Sequence, residues 1–181
     1  MKTKVFITPH LCVLFVAVLA LSSIALAQHK MQPEGQGDRN RLVQIVRDAT
    51  SQYRSVKKAI AAGYGPFLGC VSGSDHGAMG IHYVNPDLLN GTIDATKPQA
   101  LIYEPTNGKM RLVGVEFITD AATWLKHHSK PPVLKGQTFL FVDSPNRFNI
   151  PSFFELHVWA WRGNPQGDFV DWNDHVTCAG D

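Results

Sequence analysis

Apolar positions recur at intervals of three and four residues through Leu42, Ile45, Val46, Ala49, Tyr53, Val56 and Ile60. This spacing predicts one amphipathic helix, with Asp38 or Asn40 as its N-cap and Gly63 as the glycine that ends it. Beyond Cys70 the period shortens to two, in short runs at 81–84, 100–103, 112–119, 138–142 and 153–161 separated by Gly, Asn and Pro. Such runs predict strands of an antiparallel sheet. Asn107-Gly108, a favoured two-residue hairpin turn, makes the strands around Ile102 and Val113 neighbours. Asp120 is placed to cap a short helix through Leu125 that Pro131-Pro132 stops. The segment 144–151 carries two prolines, two asparagines and little pattern, and suits a loop over a cavity. The fold expected is α+β: an N-terminal amphipathic helix packed on a curved antiparallel sheet or small β-barrel.

The first residues follow a different pattern. Lys2 and Lys4, an apolar run over 11–21, and small residues at Ala25 and Ala27 have the three parts of a cleavable secretory signal, so residues 1–27 are expected to be removed on export. The apolar run is shorter than the roughly 20 residues a membrane helix needs, and no span is expected after cleavage. Residues 28–37, polar with Pro33, Gly35 and Gly37, suit a flexible leader, and 38–181 form the size of a single globular domain. The expected location is secreted or periplasmic.

Charge then narrows the partners. Losing Lys2 and Lys4 with the signal takes the 17 basic residues level with the 15 acidic ones. A neutral chain without a basic stripe argues against nucleic acid as a partner. Of the three cysteines, Cys12 leaves with the signal, and Cys70 and Cys178 remain in a compartment that favours oxidation. They are expected to form a disulfide that ties the tail to the middle of the chain.

Polar residues embedded in apolar strands are the candidates for chemistry. LVGVEFIT holds a single charge, Glu116, where an ionised carboxylate needs a partner or a proton. FFELHVWAW places Glu155, His157, Trp159 and Trp161 on one face by the two-residue period. His82 stands in IHYV. Two histidines and a carboxylate, one to a strand, suit a transition-metal site (zinc, iron or copper) with open positions, and His76 is available as a fourth ligand. Met79 adds a soft donor. The competing expectation is a buried His–Glu network that only satisfies itself.

An apolar or aromatic ligand held without catalysis is a second reading, with Tyr83, Glu155, Trp159 and Trp161 as pocket residues. A structural envelope protein is a third. The acidic tail residues Asp168, Asp171, Asn173 and Asp174 do not follow an EF-hand and are read as caps and Asx-turns. Asn90-Gly91-Thr92 matches a glycosylation sequon and is also a turn. No serine elbow, P-loop or dinucleotide fingerprint is present, so the sequence assigns no reaction.

The blocks GAMGIHYVNPDLLNGTID, LVGVEF and ELHVWAWRGNPQGDFVDWNDHVTC resemble those of a widespread family of uncharacterised secreted bacterial proteins. The likeness extends over most of the chain beyond residue 27. It implies a bacterial, exported context and brings no activity with it. His82, Glu116 and His157 all fall within these blocks.

Overall fold

The computed structural model describes residues 36–73 and 75–180, apart from the side chains of Gln36 and Asn40. The expected signal segment and most of the expected leader lie outside the described residues. Among the described residues, no helix is long and apolar enough to cross a membrane.

The amphipathic stretch is broken rather than continuous. Helix α1 spans Gln36–Thr50, a 3-10 turn covers Ser51–Arg54, and α2 spans Val56–Ala61. Gln36 and Gly37 therefore belong to the first helical turn, not to the leader, and Asp38 and Asn40 lie inside α1 instead of capping it. The break has a local cause. The Thr50 hydroxyl donates to the Val46 carbonyl at 2.6 Å and the Ser51 hydroxyl to Asp48 at 3.2 Å, and Ser55 is extended. Hydroxyl side chains of this kind compete with helical backbone bonds. Leu42, Val43 and Val46 are buried, while Ile60, counted in the apolar stripe, is exposed. Gly63, at φ +91°, follows the last turn as expected.

Six strands form one antiparallel sheet, curled into a half-barrel. They are β1 (Gly65–Ser72), β2 (Ala78–Val84), β3 (Ala100–Thr106), β4 (Lys109–Asp120), β7 (Leu140–Val142) and β8 (Phe153–Val158), in the order β1-β2-β3-β4-β8-β7. A separate two-stranded hairpin, β5 (Val133–Leu134) with β6 (Gln137–Thr138), lies between β4 and β7 in the chain. The β3–β4 hairpin closes on Asn107 and Gly108, at φ +48° and +72°. Asp120 caps α3 (Ala121–Leu125) by accepting the Thr123 N–H at 2.7 Å.

Pairing divides the side chains between two faces, because directly opposed residues point the same way. On one face Ile81, Tyr83, Leu101, Tyr103, Val115, Phe117, Phe154, Leu156 and Val158 form the main core with Leu42 and Val46 of α1. The other face carries His82, Val84, Ala100, Ile102, Gly114, Glu116, Glu155, His157 and Trp159, by the pairs His82↔Ile102, Ala100↔Glu116 and Glu116↔His157. Ala78, Ile102, Val113, Trp159 and Val176 make a second apolar cluster. The helix face supplies most of the burial and the opposite face is left for polar groups.

Cys70 and Cys178 are bonded, with Cα atoms 5.6 Å apart and a sequence separation of 108. The irregular tail is also threaded against β2, where Ala78 and Asn173 exchange backbone hydrogen bonds of 3.3 and 3.2 Å.

Candidate functional site

His82, Glu116 and His157 come from β2, β4 and β8 and meet. Glu116 and His157 are direct cross-strand partners. His82 stands two strands from Glu116 and is offset from it along the sheet, because its β3 partner is Ile102 whereas Glu116 pairs with Ala100. His82 Nε2 lies 3.3 Å from Glu116 Oε2 and 3.4 Å from His157 Nε2. The imidazole rings stand edge to face, 5.7 Å between centroids. One donor atom from each of the three residues falls within 4.8 Å of the other two.

The trio forms the floor of a cavity of about 40 Å³, completed by Glu155. Its walls are apolar: Val71, Val84, Ile118, Phe148, Met79 and the exposed pair Phe67 and Leu68 at the rim. Two irregularities shape it. Val71 pairs with Gly80 and Ser72 with Ala78, which leaves Met79 as the extra residue of a β-bulge. Gly80 has φ +94° and a Cβ there would meet the Tyr103 carbonyl at 2.6 Å, so only glycine fits. A second irregularity, between Phe67 and Val71, bows edge strand β1 over the site. Phe148 arrives from the unpatterned loop at 144–151 and packs edge to face on Phe153.

Burial governs the electrostatics. It holds the His82 imidazole down to about 3, and neighbouring His157 adds to the effect, so His82 is neutral at physiological pH. Glu116 is driven well above the usual carboxylate range by burial first and then by Glu155, with which it shares a hydrogen bond. Glu155 is also raised by burial. Among the described residues, no lysine or arginine pairs with either carboxylate. Without a cation at hand, burial and mutual repulsion favour the protonated form over two ionised carboxylates.

No protein-family model, curated protein or solved structure matches the chain. What the site can do therefore rests on its own geometry.

The other sequence candidates scatter. His76 is exposed in the β1–β2 loop and does not join the cluster. Tyr83 follows His82 on a strand and so points to the helix face, where it meets Tyr103 edge to face at 4.9 Å. Trp161 also packs on that side. Its indole donates to the Thr50 hydroxyl at 3.1 Å, and Arg54 lies 5.5 Å from its ring. The regular strand ends at Val158, so the two-residue period no longer fixes the face of Trp161. Trp159 shares the face of the site but is buried over Gly114, with its Nε1–H bonded to the Val170 carbonyl at 2.6 Å. It stacks beside His157, 6.0 Å between centroids. Of the proposed ligand-pocket residues, Glu155 alone lines the cavity.

One neighbour escaped the sequence reading. Asp171 Oδ1 lies 3.5 Å from His157 Nδ1, and Glu155, His157 and Asp171 make a second group of potential donors. The sequence signal was slight: an aspartate between Val170 and Trp172, in a tail with no period. Of the other tail oxygen donors, Asn173 forms a turn, its Oδ1 accepting the His175 N–H at 2.9 Å, and Asp174 accepts from the Gln166 side-chain amide.

Proposed function

We propose that this protein binds one transition-metal ion, of the zinc, iron or copper group, through His82, Glu116 and His157. The observation that carries the reading is the spacing of the donors. Metal–ligand bonds of about 2.0–2.1 Å at tetrahedral angles separate neighbouring donors by about 3.3–3.4 Å, and the two contacts of His82 Nε2 measure 3.3 and 3.4 Å. Charge supports it too. Two buried carboxylates without a basic side chain are costly, and a divalent cation offsets them better than a shared proton does. A neutral His82 has its lone pair available as a ligand at physiological pH.

The apolar walls leave coordination positions that face a cavity big enough for water-sized ligands and little else. Drug-sized ligands occupy pockets of about 300–1,000 Å³, which the 40 Å³ cavity does not approach. The aromatic-ligand reading is correspondingly weaker. Export fits the metal reading, since residues 1–27 have the signal pattern and a disulfide belongs in an oxidising compartment. Any reaction would use the ion as a Lewis acid or redox centre, with Glu155, hydrogen-bonded to Glu116, available to hold a proton.

The test is elemental analysis of untagged protein, wild type beside His82→Ala and His157→Ala. Near one equivalent of a transition metal in the wild type and loss in both variants is expected. Less than about a tenth of an equivalent, with no uptake on titration, would sink the proposal.

A further inference from the structure

We infer that Asp171 is a positioning residue of this site: its carboxylate accepts the Nδ1 proton of His157 and so presents the Nε2 lone pair to the ion. The inference rests on the metal-binding reading above and adds a residue to it.

Among the described residues, three buried side-chain atoms have no hydrogen-bond partner: Thr119 Oγ1, His157 Nδ1 and Asp171 Oδ1. The last two face each other at 3.5 Å, just beyond hydrogen-bond length. His157 is 1% exposed, so its Nδ1 cannot turn to solvent. Leaving such a group unpaired forfeits its hydration with nothing in return. A closure of about half an ångström would bring the pair to an ordinary N–H···O bond.

The consequence is a choice of tautomer. A neutral imidazole carries one proton, and a carboxylate at Nδ1 draws it there. Nε2 is then a free donor, and it is the nitrogen that faces His82 at 3.4 Å. Carboxylates on the far nitrogen of a ligating histidine fix ring orientation and raise basicity in this way.

The chain holds Asp171 firmly for the task. The Asp168 carbonyl accepts the Trp159 N–H at 2.9 Å, the Val170 carbonyl accepts the Trp159 indole N–H, and Asn173 is tied to Ala78. Contacts at positions 168, 170 and 173 thus bracket Asp171 above the end of β8. Trp159 stacks on the ring that Asp171 orients.

Two readouts on the untagged protein test this. Nitrogen-15 NMR of the metal-free protein near neutral pH should show His157 as the Nδ1–H tautomer in wild type and Asp171→Asn, whose amide oxygen still accepts, and as Nε2–H in Asp171→Ala. Zinc titration should show binding weakened about 10–100-fold in Asp171→Ala and less in Asp171→Asn. An Nε2–H tautomer in wild type, or an Asp171→Ala variant with unchanged tautomer and affinity, overturns the inference. So do two zinc equivalents in wild type of which Asp171→Ala loses one, because Asp171 would then itself be a ligand. No zinc uptake by wild type, with the tautomers as expected, overturns the metal reading while the His157–Asp171 contact stands.

Discussion

The Nε2 atoms of His82 and His157 face each other at 3.4 Å, although two strands, β3 and β4, lie between the strands that carry them. Two ring nitrogens at this distance either share an N–H···N bond or face a common ion. The curl of the sheet brings them together. An ion accepted by both rings gives the arrangement a purpose.

Glu116→Gln separates ligation from folding. In the metal-free protein burial and Glu155 both favour the protonated form of Glu116. Gln has nearly the same shape and can keep the bond to Glu155. Stability of the metal-free variant should stay within about 1 kcal/mol of wild type, while metal affinity falls at least 100-fold. Chemical denaturation and zinc competition measure the two quantities. A large loss of stability with unchanged affinity would assign Glu116 to the fold alone.

The stability of the metal-free protein should pass through a maximum with pH. His82 falls from 6.5 unfolded to about 3 folded, so its share is present above 6.5 and is lost as pH drops from there toward 3. Glu116 has the opposite sign. Its folded value lies above 4.5, so its share is present below 4.5 and is lost as pH rises through that higher value. Each group contributes a slope of up to about 1.4 kcal/mol per pH unit, and the two oppose each other between 4.5 and 6.5. Urea midpoints across pH should show His82→Gln flattening the acid limb and Glu116→Gln the alkaline limb. Unchanged limbs in both variants would contradict the assignment.

Removing the disulfide by Cys70→Ser with Cys178→Ser should cost up to about 4–5 kcal/mol for a loop of this length. It should also weaken metal binding, because the bond secures the tail that carries Asp171. Equilibrium unfolding and zinc titration of the double variant check both. Full affinity in a destabilised protein would uncouple the tail from the site.

The sequence made part of this legible. A lone glutamate in LVGVEFIT and a histidine in a doubly apolar strand announced themselves by their cost, and the period of two placed Glu155, His157 and Trp159 on one face. The strand ends at Val158: Trp159, one residue on, keeps the face that the period gives it, and Trp161, three residues on, does not. β1 was hidden by Gly65, Pro66 and Gly69, which read as punctuation; a bowed edge strand tolerates them because half of its backbone groups need no partner. The break in the amphipathic helix depended on hydroxyl-to-carbonyl bonds at Thr50 and Ser51 that spacing does not report. Asp171 was out of reach because only tertiary contacts with Trp159 and Ala78 bring an irregular tail to His157.

The most direct measurement is an anomalous-difference map from crystals of untagged protein, collected at the zinc, copper and iron edges. The account predicts one peak per chain, about 2.0–2.2 Å from Nε2 of His82, Nε2 of His157 and a carboxylate oxygen of Glu116. A cavity without a peak in crystals grown with added metal, or peaks confined to exposed histidines such as His76 and His128, would contradict it.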